Sequence, residues 1–362
     1  MTKITLFGAT GYTGRLVAHA LDRAGLPFRL AGRSAQRLAQ LSADLPSRPP
    51  SLTADVHRPD TLPALFAGTR LMINCVGPFT DLGEPVVAQA AARGVHYLDI
   101  TNELAYVLRL QQYDQLARQT GAAIVPAGGF EVAVTDCAAA LLARTLPAPP
   151  EAVDITYALH GAGMSIGTRL SGLRIFGTAW LAFRNGKLEG QAPGAAVRPT
   201  TIRGRTVTGL AFPSSELATL PKHLPLRQIQ VWLAIARRAG RLAPRVVPAL
   251  SLLLRTPLHW LAGQIIRRIL PPPAASVRAR DAFGIKIEMR SGVAVQAQTL
   301  TGPDPYRLTA DIAAYAAQVM TAPDYVRTGV LAPAQALDPA EFMERLQAEM
   351  GVVVEGPPVP RG

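Results

Sequence analysis

Three glycines in the stretch "LFGATGYTG", at Gly8, Gly11 and Gly14, stand between an apolar run and an amphipathic one almost at the start of the chain. No other feature narrows the fold as far. Ile4 and Leu6 suit a buried strand, and Leu16, Val17, Ala20 and Leu21 recur at helical spacing, so a strand, a glycine turn and a helix follow one another. The order then repeats. "FRLAGRS", "PSLTADV", "RLMINCVGPF", "VHYLDIT" and "AAIVPAGG" read as five further strands, with helical stretches between them. Alternation of this kind over about 130 residues predicts an α/β fold with a Rossmann-type, doubly wound parallel sheet.

Past Phe130 the alternation stops. "EAVDITYALHG", "RTVTGLAF", "LRQIQVWLAI", "FGIKIEMRSG" and "VAVQAQTLTG" read as strands, and Asn185-Gly186 and Ser291-Gly292 as hairpin turns. The expected organisation is a first domain over 1–130 and a second, α+β domain on a mixed or antiparallel sheet over 131–304. A helix over about 305–322 should return to the first domain, and 323–362 should form a C-terminal segment with a frayed, proline-rich end. A chain of 362 residues has the length for two such domains.

Glycines that open a helix let the backbone approach a pyrophosphate, while the helix N-terminus supplies N–H groups and a positive dipole. Gly8, Gly11 and Gly14 therefore read as a dinucleotide-binding turn; the plainer alternative is a tight turn that only allows close packing. The end of the second strand selects the dinucleotide. Sites for NAD usually carry an acid there for the ribose 2′-hydroxyl. Here Arg33 and Ser34 follow, with Arg37 one helical turn later and no acid nearby. A guanidinium suits a 2′-phosphate, so the expected cofactor is NADP(H), against the alternative of a solvated arginine pair. Asp55, at the end of the third strand, is placed to reach the adenine edge or to cap a helix. Gly77 and Pro78 end the fourth strand, where a nicotinamide would run past exposed backbone.

The blocks "GATGYTG", "AGRS", "INCVGPF", "GEPVVAQAAARGVHYLDITNE" and "PAGGFEVAVTD" resemble, in order and spacing, the saccharopine dehydrogenase-like oxidoreductases over roughly the first 140 residues. "GPDPYRLTADIAAYAAQ" carries a fainter likeness. The pattern is nearer the trans-acting enoyl reductase branch than the true saccharopine reductases. The resemblance implies a second domain covering the nicotinamide and reduction of a carbon–carbon or carbon–nitrogen double bond. By the same resemblance Thr10, Tyr12, Thr13, Val76 and Phe79 join Gly8, Gly11, Gly14, Arg33, Ser34, Gly77 and Pro78 as cofactor residues. Its catalytic residues do not carry over.

Chemistry is harder to place. A Tyr-x-x-x-Lys pair is excluded, because Ala218, Phe183 and Ala282 stand four residues before Lys222, Lys187 and Lys286, and nothing precedes Lys3 at that distance. Tyr97 and Glu103, near a strand end that should face the cofactor, lead the candidates for a proton source, with His160 beside them. Asp99, Glu131 and Asp136 are weaker candidates. Each also has a structural reading as core packing, a loop cap or a first-turn acid. No metal site is expected: Cys75 and Cys137 lie far apart, and they fit a reduced, cytoplasmic protein.

Charge is uneven. Between Glu216 and Asp281 there are eleven lysines and arginines and no acid. Residues 222–280 should therefore meet an anionic partner. Within Val231–Leu270, Trp232 and Trp260 among leucines and arginines fit helices at an anionic membrane surface, helices roofing an apolar pocket, or a homodimer interface. The uncharged run from Arg255 to Arg267 is too short to span a bilayer. Aromatic interleaving is too sparse for nucleic acid.

The functional expectation is an NADPH-dependent reductase of a hydrophobic, lipid- or polyketide-like acyl substrate, cytoplasmic and peripheral at the inner membrane face. A saccharopine-type imine reductase and a non-catalytic NADP-binding sensor or scaffold are the alternatives. Arg169 and Arg174, the available pair for a substrate-carboxylate clamp, are badly spaced for one helical face.

Overall fold

The computed structural model describes residues 3–160, 164–202, 204–269 and 282–357. The chain divides into two compact units, one of residues 1–102, 106–133 and 306–337 and the other of 103–105, 134–305 and 338–362.

The first unit begins with the predicted alternation. Strands β1 (Ile4–Phe7), β2 (Phe28–Gly32), β3 (Ser51–Thr53), β4 (Leu71–Asn74), β5 (His96–Asp99) and β6 (Ala123–Val125) all run parallel. They stand in the order β6-β5-β4-β1-β2-β3. Helices α1 (Tyr12–Arg23), α2 (Ala35–Asp44), α3 (Phe79–Leu82), α4 (Glu84–Ala92), α5 (Leu104–Leu110) and α6 (Asp114–Thr120) fall between the strands. β1, β4, β5 and β6 are buried at every residue, which explains why they read as apolar runs rather than alternations. The chain leaves β1 in one direction to build β2 and β3, then returns to β1's other side to build β4. The crevice between β1 and β4 is thus the topological switch point, the place where open parallel sheets bind ligands.

After α7 (Phe130–Ala143) the second unit is built on a mixed sheet, as the sequence implied. Its long strands are β7 (Ala152–His160), β8 (Leu181–Arg184), β9 (Lys187–Gly190), β10 (Val197–Ile202), β11 (Arg205–Ala211), β12 (Gln228–Ile235), β13 (Ala282–Ser291) and β14 (Ala294–Gly302). β12 lies parallel to β7, and β13 antiparallel to β7 on its other side. β8 and β9 form the hairpin expected at Asn185-Gly186. Helices α8 (Ile166–Gly177), α9 (Glu216–Thr219), α10 (Arg237–Leu254) and α11 (Leu258–Ile269) complete this part.

Helix α12 (Pro305–Met320) carries the chain back to the first unit, where β15 (Gly329–Val330) adds a seventh parallel strand beside β6. Within that unit Thr309 Oγ1 accepts from the Phe130 N–H at 3.2 Å, and Arg23 meets Asp311 at 2.6 Å. After α13 (Pro333–Ala336) and α14 (Pro339–Ala348), β16 (Val353–Glu355) pairs with β14 in the second unit.

One expectation for the basic segment fails here. Trp232 lies in β12, not on an interfacial helix, and is 8% exposed. Its Nε1–H donates to Asp154 Oδ1 at 2.8 Å, and the Arg198 guanidinium stacks 4.4 Å from its ring. Asp154 also takes Arg198 and Arg290, each at 3.1 Å, so one buried carboxylate ties β7, β10, β12 and β13 together. Residues 270–280 of the basic segment lie outside the described residues.

Asp154→Ala should leave an indole N–H and two guanidiniums without their shared acceptor and cost about 2 to 3 kcal/mol. Urea unfolding checks this; a loss below about 0.5 kcal/mol, the range of an ordinary surface substitution, would show that the carboxylate is not a tie.

Candidate functional site

The expected cofactor residues of the first unit come together at the carboxyl ends of β1 to β4. Gly8 adopts φ +81°, and its N–H and that of Ala9 both donate to Ala31 O, at 2.9 and 3.1 Å, fixing the glycine turn to the end of β2. A Cβ on Gly8 would lie 2.9 Å from the Cys75 carbonyl carbon and 2.9 Å from Val76 Cγ2, so β1 and β4 close tightly at this point. A Cβ on Gly14 would lie 2.2 Å from Gly8 O, and this glycine seats α1 directly on the turn. Gly11 differs. It is exposed, and a Cβ there would meet only Gly8 O, at 3.2 Å.

Gly11 is the N-cap of α1 and supplies no capping side chain, and the first turn of the helix carries no acid. The N-terminus therefore presents its positive end with neither a capping side chain nor a first-turn acid of its own. Thr10, Tyr12 and Thr13 are half-buried around it, and the Tyr12 ring packs edge-on against Tyr306 of α12 at 4.9 Å. At the end of β2 Ser34 caps α2, its Oγ accepting from the Arg37 N–H at 3.3 Å. Arg33 and Arg37 are exposed, and no hydrogen bond or ion pair holds the Arg33 guanidinium among the described residues. A helix N-terminus and two uncommitted arginines at adjacent strand ends fit a ligand with a pyrophosphate and a further phosphate. Asp55 Oδ1 accepts from the His57 N–H at 3.0 Å, which makes it the cap of the turn after β3.

The fourth strand's end is held from inside. Asn74 is fully buried; its Oδ1 accepts from the Val76 N–H and its Nδ2 donates to Tyr97 Oη, both at 3.0 Å. The Tyr97 and Tyr106 hydroxyls lie 3.0 Å apart, and Tyr106 Oη donates to Asp99 Oδ2 at 2.9 Å. Since a hydroxyl has one proton, Tyr97 must donate to Tyr106, and the chain runs one way from Asn74 to Asp99. Asp99 Oδ1 in turn accepts from the N–H groups of Thr101 and Ala127, both at 3.0 Å. Burial pushes the Asp99 carboxyl up to about 6 and both phenols well above their ordinary range. Phe79, following Gly77 and Pro78, packs on Tyr106 at 5.8 Å, so the whole "CVGPF" turn rests on this network.

The catalytic candidates are divided between the two units. Tyr97 has no exposed surface and sits inside the chain just described. Glu103 is buried in the second unit, its Oε1 accepting from Ser171 Oγ at 2.6 Å. His160 ends β7, and its side chain lies outside what is described. Glu131 Oε2 accepts from Asn102, and Asp136 meets His223 at 3.1 Å. Two groups escaped sequence reasoning. Tyr106 shows only as an apolar position of a helix. Glu216, which bounds the acid-free segment, is fully buried in the second unit with hydrogen bonds from Ser214, Tyr157 and Thr135, and burial raises its carboxyl. Among the described residues no cluster of side chains is suited to a metal ion.

The profile of the saccharopine dehydrogenase NADP binding domain matches residues 4–125, the span that carries the glycine turn, Arg33 and the Asn74–Asp99 chain. Over that span the first unit is similar to the saccharopine dehydrogenase NADP-binding domain. Its cofactor is NADP(H), in agreement with the arginine and serine that end β2. The likeness to the saccharopine dehydrogenase-like oxidoreductases, with trans-acting enoyl reductases among the relatives, is borne out. The chain is 38% identical over 139 residues to a Mycobacterium tuberculosis protein named trans-acting enoyl reductase, covering 37% of this chain and 33% of that one. A second M. tuberculosis protein, provisionally given the same name, is 38% identical over 186 residues, or 49% of this chain and 44% of its own. An Arabidopsis thaliana protein named as a saccharopine dehydrogenase-like oxidoreductase is 41% identical over 143 residues, 35% of this chain and 32% of that one. The chain thus spans less than half the length of these curated relatives. In fold it is similar to a Saccharomyces cerevisiae saccharopine dehydrogenase structure, at TM-score 0.66 and 11% identity over 99% of this chain and all of that one.

In the NADP-binding domain, Arg33→Ala should weaken NADPH binding about ten- to a hundredfold, the worth of a charge-assisted hydrogen bond, while NADH binding barely changes. Gly11→Val should abolish both while lowering the unfolding midpoint only slightly, since its Cβ meets a single backbone atom, Gly8 O at 3.2 Å. Calorimetric titration reads both; equal losses for the two nucleotides in Arg33→Ala would place 2′-phosphate recognition elsewhere.

A carboxyl raised in the folded state makes its stabilising contribution below its unfolded pKa and loses it as pH rises through the folded one. Asp99 should therefore cost stability on the order of 2 kcal/mol between about pH 4 and pH 6. Urea unfolding of Asp99→Asn across that window should lack this fall; an unchanged slope would assign it to other groups.

Proposed function

We propose that this chain is an NADPH-dependent oxidoreductase that reduces a carbon–carbon double bond of enoyl type on a hydrophobic, lipid- or polyketide-like substrate. The observation that carries the reading is an NADP-binding domain whose relatives are named trans-acting enoyl reductases. In this reading Gly8, Thr10, Gly11, Tyr12, Thr13 and Gly14 hold the pyrophosphate at the end of α1. Arg33, Ser34 and Arg37 take the 2′-phosphate, Asp55 borders the adenine side, and Val76, Gly77, Pro78 and Phe79 run beside the nicotinamide. Bound NADPH supplies the hydride.

The chain's own residues hold and orient. Asn74 keeps the Val76 N–H turned inward, so the turn after β4 keeps its shape whether or not a ligand is present. Tyr97 is a positioning residue in this reading, since its hydroxyl is spent inside the protein. Glu103 and His160 remain the proposed proton sources. The second unit, 134–305 with 338–362, is assigned to the substrate. An amino-acid substrate would call for a carboxylate clamp; Arg169 and Arg174, five apart on α8, point about 140° from each other. That favours an apolar substrate over a saccharopine-like one.

The full chain mixed with NADPH and a long-chain enoyl thioester should consume NADPH and yield the saturated thioester, detected by absorbance and mass spectrometry. Bound NADPH that is never consumed would favour the sensor alternative. Consumption only with an amine and a keto acid would favour the imine reductase.

A further inference from the structure

Helices α10 and α11 of the second unit carry an apolar surface on their solvent side. In α10 the inward face is set by Gly240, Ala243, Val247, Ser251 and Leu254, buried at helical spacing. A second stripe follows the same period about 100° round the helix: Leu242, Val246, Leu250 and Leu253, with Leu242 56% exposed. Arg238, Arg241 and Arg245 are exposed in a row alongside it, three and four residues apart. The shorter α11 repeats the pattern. Leu258, Leu261 and Ile265 are exposed with Arg268 one turn on, and Trp260 is 65% exposed. Both helices pack on α8, so the two stripes belong to one layer of helices.

We propose that this layer docks the protein flat on an anionic phospholipid bilayer, with the leucines and Trp260 entering the boundary between headgroups and acyl chains and the arginines meeting lipid phosphates. Three observations choose that occupant. Water is a poor neighbour for two stripes of large apolar side chains on adjacent helices, which on a protein surface mark a contact rather than chance exposure. No acid occurs from 217 to 280, so a second copy laid on the same face would set arginine rows against arginine rows with nothing in the segment to pair them. Phosphate-bearing lipids supply the missing negative charge at the depth where arginine stems reach out of an apolar layer. Among the described residues no helix is long and apolar enough to cross a membrane, so the helices lie on the surface rather than span it. The proposal does not depend on the reduction, and it places the protein where a lipid-like substrate would be met.

The test is co-sedimentation of the full chain with vesicles of phosphatidylglycerol and phosphatidylcholine, against vesicles of phosphatidylcholine alone, at low and high salt. Binding is expected to the anionic vesicles only, and to fall as salt rises. The triple variant R238Q/R241Q/R245Q should bind roughly a hundredfold more weakly, since each arginine near an anionic surface is worth about fivefold. W260S/L261S should also weaken binding, with the unfolding midpoint unchanged because both side chains are exposed. Absence of binding to anionic vesicles at low salt overturns the proposal. So does equal, salt-insensitive binding to both vesicle types, and so does a dimer in sedimentation velocity that W260S/L261S dissociates.

Discussion

The approach of α1 to the glycine turn is the contact on which the first unit depends. With only a hydrogen at position 14, the helix settles against Gly8 O at a distance no side chain would permit. That seat aims the helix N-terminus at the crevice between β1 and β4 and leaves Gly11 facing outward. The tight closure of Gly8 on Cys75 and Val76 sets the other wall. Helix dipole, exposed glycine and switch point therefore coincide because backbone packs on backbone.

The second constraint is internal. A sheet end that binds a cofactor through main chain needs its loops to hold their shape, yet loops lack the ladder bonds that hold strands. The directed chain from Asn74 through Tyr97 and Tyr106 to Asp99 supplies those bonds for the turn after β4, and the Asp99 carboxylate extends them to Ala127 after β6. Three strand ends are thereby braced by one buried acid. Its raised pKa is the cost of placing a carboxylate where water does not reach, and three donors, the Thr101 and Ala127 N–H groups and the Tyr106 hydroxyl, offset part of it.

The first unit was legible because parallel strands buried on both faces are written as short apolar runs, and each run stops at a glycine or a turn residue. β15 was not, because two residues carry no period. The bracing chain was hidden for a different reason: Asn74 and Tyr97 become neighbours only when β4 and β5 pair, and Tyr106 reaches them from a helix. In the second unit β12 lies parallel to β7 across a long stretch of intervening chain, and no local pattern announces such a partner. Trp232 shows the consequence: "LRQIQVWLAI" reads correctly as a strand, yet the same tryptophan also counts toward an interfacial helix, and its indole is tied to Asp154 inside the sheet. Glu216 looked like a boundary because burial of an acid leaves no mark in sequence.

The central claim is that the ends of β1, β2 and β4 form a site for a dinucleotide carrying a 2′-phosphate. It is tested most directly by titrating the unaltered full chain with NADPH and with NADH in the same buffer. The account predicts saturable binding of NADPH, tighter than NADH by about ten- to a hundredfold, as expected for a charge-assisted contact to one added phosphate. Equal affinity for the two nucleotides, or tighter binding of NADH, would contradict it.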